Sequence, residues 1–309
     1  MKVLLAVSGG IDSMYMLHRA PELFPGASFA VAHCNFRLRG DESDGDEEFV
    51  VKQCRELGTE CYVKRFDTVK YAKEQGISVE MAARELRYAW FAELRSKYGF
   101  DTLATAHNAN DNAETLILNL LRGTGTKGLR GIPRSTREGI ARPLLDTSRE
   151  EISSWMLSEG KQWREDRTNA GNEARRNKIR NQVFPVFSEI NPSYIKTIGA
   201  DIRRFTQTDD IAEDYFMDAA PRIRCAGEDG SVEISVTALL SLKHWRYVLW
   251  RILEDCSFSA ETFDKLCTLL DRYRTEPSGT VTLSGKVFES PAFLLYARRR
   301  KLVISKKQG

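Results

Sequence analysis

Apolar positions in the first part of the chain alternate between two patterns. Short continuous apolar runs, bounded by turn residues, predict buried parallel strands near residues 3–7, 29–33, 60–66 and 102–106. Segments with helical spacing follow these runs, and they predict helices near 12–19, 46–57, 78–98 and 109–121. Strands that alternate with helices are typical of an α/β fold, so we expect a doubly wound parallel sheet.

The pattern changes near residue 190. Before this point, helices are predicted over 149–159 and over 173–184, the second ended by Pro185, and a glycine-rich loop is predicted from Gly123 to Pro133. Beyond it, helices are expected at 194–219, 238–255 and 260–273, followed by short strands at 280–284, 286–289, 293–297 and 302–305. We therefore predict a first domain over 1–190 and a second, smaller α+β domain over 191–309.

The turn after the first strand carries the clearest chemistry. It reads Ser8-Gly9-Gly10-Ile11-Asp12-Ser13, and two adjacent glycines let the backbone approach an anion closely. Loop amides, the start of the next helix and two serine hydroxyls then favour a phosphate group. Asp12 would repel phosphates unless a divalent cation lies between them, so we expect Mg²⁺. No lysine follows the second glycine, which argues against a Walker A loop.

Composition excludes several classes of protein. Hydrophobic residues make up 42% of the chain and charged residues 29%, as in ordinary globular proteins. Six cysteines form no CxxC pair, and with four histidines they predict no zinc site. No apolar run is long enough for a membrane span and no signal peptide is expected, so we expect a cytoplasmic protein.

Charge is distributed unevenly although the net charge is only +3. Six of the eight residues from Asp41 to Glu48 are acidic, and we interpret this run as a solvated helix start. Lys161 to Arg180 holds seven basic residues against three acidic ones, and the last twelve residues carry six basic residues and no acidic one. Together the two basic zones fit a polyanionic partner larger than a nucleotide.

The loop sequence SGGxDS resembles the signature of the PP-loop family of N-type ATP pyrophosphatases. Further stretches are similar, in order and spacing, to the tRNA(Ile)-lysidine synthetase family within that group. They are AHCNFRLRGDESDGDEEF (32–49), EMAARELRYAWF (80–91), TAHNANDNAETLILNLLRGTGTKGLRGI (105–132), RPLLDTSREEI (142–152), EDRTN with RRNKIRNQVFP (165–185), and SGKVFESPAFLLYARRRKLVIS (284–305). The chain resembles a short form without the last C-terminal domain of longer members.

The resemblance implies ATP and Mg²⁺ as cofactors, and free L-lysine and a tRNA(Ile) with a CAU anticodon as partners. The wobble cytidine would be adenylated and then joined to the lysine ε-amine. The implied ATP-binding residues are Ser8, Gly9, Gly10, Ile11, Asp12, Ser13, His33 and Cys34, with Asp12 also at Mg²⁺. The implied catalytic residues are Asp12, Asp111, Glu114, Arg176 and Arg180; Asp111 and Glu114 would bind lysine. Contacts to tRNA would come from Arg175, Arg176, Lys178, Arg298, Arg299 and Arg300.

Several alternatives stay open at this point. A PP-loop tRNA 2-thiolation enzyme would share the glycine-rich turn, although such enzymes generally need cysteine pairs. A non-catalytic ATP-binding RNA adaptor would bind ATP without forming AMP. Which carboxylate binds lysine and which the metal is undecided, and the family often dimerises, so a homodimer is one expected state.

Overall fold

The computed structural model describes residues 1–164, 172–227, 230–276 and 281–307, so the EDRTN stretch lies outside the described residues. Contacts within the chain divide it into two units, Met1–Gln207 and Thr208–Gly309. This division falls inside a long helix, Tyr194–Ile223, whereas the expected boundary at residue 190 precedes that helix.

A parallel sheet forms the centre of the first unit. Its five strands are β1 (Lys2–Ala6), β2 (Ser28–Asn35), β3 (Glu60–Arg65), β4 (Thr102–Ala104) and β5 (Ile140–Ala141). They lie in the order β3-β2-β1-β4-β5, and every neighbouring pair is parallel. The predicted parallel α/β sheet is therefore confirmed. Strand β5 was not predicted because two residues are too few to show a pattern.

Helices cover both faces of this sheet. The residues of β1 show this, since they belong to two different apolar clusters. Val3 and Leu5 pack in one cluster and Leu4 in the other, and all three are fully buried. The helices of this unit are α1 (Ile11–His18), α2 (Ala20–Leu23), α3 (Asp41–Glu56), α4 (Thr68–Gln75), α5 (Val79–Tyr98), α6 (Ala109–Arg122), α7 (Thr126–Leu129), α8 (Arg149–Ser158), α9 (Asn172–Lys178), α10 (Phe184–Ile190) and the first part of α11 (Tyr194–Ile223), which continues into the second unit.

Two helix predictions and one loop prediction in this unit need correction. Helix α3 begins at Asp41 and not at Asp46, because its acidic first turn is compatible with the positive end of the helix dipole. Pro185 does not end a helix; it lies in the first turn of α10, where its missing N–H costs little, after a π-helical turn over Ile179–Val183. The predicted glycine-rich loop contains α7, and the Asn119 side chain holds its Gly128 carbonyl at 2.8 Å.

The second unit has its own antiparallel sheet. Its strands are β6 (Arg224–Ala226), β7 (Val232–Ser235), β8 (Val287–Glu289), β9 (Phe293–Arg298) and β10 (Lys301–Lys306), in the order β6-β7-β10-β9-β8. Helices α12 (Val236–Ser241), α13 (Trp245–Leu253) and α14 (Ala260–Thr275) supply the other half of an apolar core. The smaller α+β domain is thus confirmed.

Two details of the second unit differ from the prediction. The single helix expected over 238–255 is interrupted: Leu242 takes an extended conformation, and a new helix starts after His244. Residues 281–284 form no strand, while strands β6 and β7 were not predicted. Within the described residues, no helix combines the length and the hydropathy that a bilayer crossing requires.

The central position of β1 leads to a stability prediction. Leu4 is 0% exposed, so Leu4→Ala leaves a cavity and should lower the free energy of unfolding by about 2–5 kcal/mol. Leu121→Ala is the matched control, because Leu121 is 76% exposed and its loss should cost less than about 0.5 kcal/mol. Urea unfolding followed by circular dichroism measures both, and equal losses would contradict this description of the core.

Candidate active site

The sheet order places a crevice where β1 and β4 end. The chain leaves β1 toward β2 on one side and returns to β4 on the other, and open α/β sheets bind ligands at such a switch point. A cleft of about 820 Å³ lies here, a size that suits a nucleotide-like ligand. Five arginines line it, Arg87, Arg149, Arg164, Arg176 and Arg180, against the two carboxylates of Asp12 and Asp111. The cleft is therefore suited to a polyanion.

The loop of residues 8–13, here called the glycine loop, has a backbone that requires glycine. Gly9 has φ +100°, and a Cβ on it would lie 3.3 Å from Val50 Cγ2. Ser13 Oγ accepts from the backbone N–H groups of Ser8 and Gly9, each at 3.2 Å, and donates to the Gly10 carbonyl at 2.8 Å. We expected the hydroxyls of Ser8 and Ser13 to donate to an anion. Here both form hydrogen bonds within the loop and hold its shape.

Glycine also matters at the start of the following helix. Gly10 occupies the N-cap position of α1, and no side chain caps that end of the helix. The first-turn amides of α1 are therefore directed toward the cleft end of the loop without a competing cap. Such a helix start favours an anion.

Asn108 joins the two edges of the crevice. It is 1% exposed, it caps α6 in a reciprocal capping box with Asp111, and its side-chain Nδ2 donates to Asp12 Oδ1 at 3.0 Å. Burial raises the pKa of Asp12, whereas the hydrogen bond from Asn108 and the charge of Arg149 lower it. Asn108 thus orients both carboxylates that line the cleft, Asp12 through its side-chain amide and Asp111 through its backbone N–H.

Glu114 lies one turn further along α6 and is 0% exposed. Arg180 donates through Nε to Glu114 Oε1 at 2.8 Å and lies 3.6 Å from Asp111 Oδ1. Arg176 Nη1 is 3.9 Å from Glu114 Oε2, and its Nη2 donates to Thr115 Oγ1 at 3.1 Å. Burial raises the pKa of Glu114, and the nearby Arg180 opposes this shift. The two arginines therefore stand beside the carboxylates that were expected to bind lysine.

His33 and Cys34 end β2 in different environments. His33 is buried and its Nδ1 lies 2.9 Å from the Val7 carbonyl, just before the glycine loop. Burial lowers the pKa of His33. Cys34 lines the cleft, and burial raises the pKa of its thiol to about 12, so it is a thiol and not a nucleophilic thiolate at neutral pH.

The structure gathers most of the residues proposed from the sequence. Those that line the cleft are Ser8, Gly10, Ile11, Asp12, Ser13, Cys34, Asp111, Arg176 and Arg180. Gly9, His33 and Glu114 lie next to them but are not part of the lining. Arg175 and Lys178 are exposed on α9. In the second unit Arg298, Arg299 and Arg300 are exposed at the turn between β9 and β10, where Arg299 has φ +56°.

Three residues of the site were missed from the sequence: Arg149 and Arg164, which line the cleft, and Asn108, which is buried beside it and bonds to Asp12. The Asn108-x-x-Asp111 spacing is a helix-start signal that could have revealed Asn108, whereas the two arginines meet the cleft only through the fold. The solvated interpretation of the acidic run is wrong for Asp46, which is 8% exposed and pairs with Arg39 and Arg164. Glu47 likewise binds Arg65 and Asn35.

Comparison with sequence families agrees with the two units. The family described as PP-loop domain matches residues 1–187, and the family described as TilS substrate binding domain matches residues 227–307. A tRNA(Ile)-lysidine synthase from Porphyromonas gingivalis is 39% identical over 98% of this chain, which spans 63% of that relative's length. Another from Chlorobaculum tepidum is 39% identical over 90% of this chain and 86% of its own length.

Solved structures support the fold alone. A U34-tRNA thiolase from Methanococcus maripaludis, solved with its [4Fe-4S] cluster, superposes with a TM-score of 0.56 and 19% identity. The match covers 67% of this chain and 73% of the thiolase.

The pairing of Glu114 with Arg180 predicts a coupled effect on stability. Arg180→Met leaves a buried carboxylate without its closest partner and should lower the free energy of unfolding by about 1–3 kcal/mol. Adding Glu114→Gln should restore at least half of that loss, because the uncompensated charge is then absent. Arg176→Met, whose nearest Glu114 oxygen is 3.9 Å away, is the matched control and should cost less. Additive losses in the double variant, measured by urea unfolding, would contradict the pairing.

Proposed function

The chain belongs to the tRNA(Ile)-lysidine synthase family, and from this we propose that it joins lysine to the wobble cytidine of a tRNA(Ile) with a CAU anticodon, at the expense of ATP. The products would be a lysidine-containing tRNA, AMP and pyrophosphate. The observation that carries this proposal is the single cleft in which the glycine loop, Asp12, Asp111, Arg176 and Arg180 meet.

In the first step the cytidine O2 attacks the α-phosphorus of ATP. A new P–O bond forms, the bond to the β-phosphate oxygen breaks, and pyrophosphate leaves with the electron pair. The glycine loop and the start of α1 would hold the leaving phosphates. Negative charge grows on the α-phosphate during this step, and Arg176 and Arg180 are the cations placed to neutralise it.

In the second step the lysine ε-amine attacks C2 of the adenylated base. A C–N bond forms, the C–O bond to the activated oxygen breaks, and AMP leaves. Asp111 lines the cleft and would bind the lysine ammonium and accept its proton. Glu114 is buried next to Asp111. It would add negative charge near the amine and hold Arg180 in place through their hydrogen bond.

The residues also fit a magnesium ion. Asp12 is a carboxylate on the cleft wall beside the glycine loop, and Mg²⁺ is commonly held by one or two carboxylates together with phosphate oxygens and water. Among the described residues, no group of three or more metal-binding side chains exists, which agrees with an ion that takes most ligands from the nucleotide. When bound, it would supply positive charge to the phosphates.

Binding of tRNA would use cations in both units, and all of them except the half-buried Arg176 are exposed. Arg175, Arg176 and Lys178 lie on α9, and Arg298, Arg299 and Arg300 lie on the β9–β10 turn, within the range that matches the substrate binding domain. An anticodon loop is held through phosphate contacts while its target base is extruded into a pocket. The homodimer implied by the resemblance stays a prediction.

One assay tests the proposed reaction. The protein, a tRNA(Ile) transcript with a CAU anticodon, ATP, Mg²⁺ and isotopically labelled lysine are incubated, and the digested tRNA is analysed by mass spectrometry. We expect labelled lysidine together with AMP and pyrophosphate. Asp111→Asn should lower the rate about 10²–10⁴-fold. The matched control Asp201→Asn, at an Asp201 side chain that is 43% exposed and pairs with Arg204, should not. AMP formation that needs neither lysine nor tRNA would contradict the proposal.

A pH profile tests the contribution of Asn108. Its hydrogen bond favours the ionised form of Asp12 and so lowers a pKa that burial raises. Asn108→Ala removes this bond, so the pKa of Asp12 rises further and the acid limb of kcat/KM moves to higher pH, because Mg²⁺ needs the carboxylate. Ser78→Ala removes a comparable cap from α5 and should leave that limb in place. Equal profiles for the two variants would exclude the role of Asn108.

A further inference from the structure

Arg164 has no part in the reaction described above, although it lines the same cleft. We propose that Arg164 is a positioning and binding residue for the pyrophosphate part of the nucleotide: its backbone holds the glycine loop and its guanidinium binds the terminal phosphates. The assignment of these phosphates as a leaving group rests on the proposed function; the binding itself does not.

The backbone of Arg164 bonds directly to the glycine loop. Its N–H donates to the Gly9 carbonyl at 2.9 Å. Its Cγ lies 3.9 Å from the place where a Cβ on Gly9 would be. Gly9 is the residue with φ +100°, so Arg164 stabilises the loop where its backbone has a positive φ.

The side chain of Arg164 is held from one side and open on the other. Its Nε donates to Asp46 Oδ1 at 2.9 Å, and Asp46 is 8% exposed. The second oxygen of Asp46 accepts from Arg39 Nη2 at 2.6 Å, so both carboxylate oxygens are engaged. About 45% of the Arg164 side chain is accessible, and it contributes to the cleft wall. A guanidinium fixed through Nε can present its remaining N–H groups to phosphate oxygens.

A glycine in α3 provides space for this guanidinium. Gly45 lies in the second turn of the helix, where glycine is unfavourable compared with alanine. A Cβ at this position would lie 3.2 Å from Arg164 Nη2, closer than side chains normally pack. The helix thus contains a residue that weakens it at the point where a Cβ would require the end of the Arg164 side chain to shift by a few tenths of an ångström.

The position of the guanidinium favours terminal phosphates over the nucleoside. Arg164 adjoins Gly9 and shares the cleft wall with Ser8 and Gly10, at the end of β1. Arg176 and Arg180 instead lie beside Glu114, a carboxylate of α6. Two separate cationic groups therefore border the cleft, one at the glycine loop and one beside α6.

Binding measurements on the full chain test the proposal without tRNA or lysine. Calorimetry with Mg²⁺ gives the Kd for inorganic pyrophosphate, for ATP and for AMP. Arg164→Met keeps the packing of the side-chain stem and removes the charge, so the Kd values for pyrophosphate and ATP should rise about ten-fold while that for AMP changes less than about two-fold. Arg55→Met, at an exposed position of α3, is the matched control and should change none of them.

Gly45→Ala provides a second test in which stability and binding move in opposite directions. Alanine favours the helix and should raise the Tm, whereas its Cβ shifts the end of the Arg164 guanidinium and should raise the Kd for pyrophosphate about two- to three-fold. This variant decides the question if Arg164→Met does not fold.

The proposal is overturned by any of three results. They are unchanged pyrophosphate binding in both variants, an equal loss of AMP and pyrophosphate binding, or no pyrophosphate binding by the unaltered chain. Failure of the lysidine assay with intact pyrophosphate binding would contradict the proposed function and leave this inference standing.

Discussion

The structure depends on the hydrogen-bond and ion-pair partners that it gives to carboxylates removed from water. Burial raises the pKa values of Asp12 and Glu114, and a specific neighbour opposes the shift in each case: the Asn108 amide for Asp12 and the Arg180 guanidinium for Glu114. Burying a charge without such a partner is costly, so these contacts determine how α6 starts and where Arg180 lies. The same contacts place the charged groups that the proposed reaction needs.

The fold brings these groups together. Asp12 follows β1 and Asn108 follows β4, and they lie 96 residues apart in the chain. They meet because β1 and β4 are parallel neighbours whose carboxyl ends share one edge. The five cleft arginines come from other parts of the chain, namely α5, α8, the segment after α8, α9 and the π-helical turn, so positive charge surrounds Asp12 and Asp111.

Local sequence patterns were enough to predict the parallel sheet, the larger helices and the glycine loop. Apolar runs predicted strands β1 to β4, and the loop sequence predicted which edge of the sheet carries the cleft. The missed features depend on tertiary structure. Strand β5 has two residues, Pro185 is accommodated by a π-turn that no spacing shows, and the ion pairs of Asp46 and Glu47 turn an apparently solvated acidic run into a partly buried network. Arg164 joins the cleft through a bond to Gly9, far away in the sequence.

We propose that the glycine loop holds the terminal phosphates so that the α-phosphorus faces Asp111, Arg176 and Arg180. A crystal structure with Mg²⁺ and an ATP analogue that cannot be cleaved between the α- and β-phosphates can test this arrangement. We expect the β- and γ-phosphates on residues 8–13 and the α-phosphate within hydrogen-bond distance of Arg176 or Arg180. Phosphates bound away from the loop, or a γ-phosphate placed at Asp111, would contradict it.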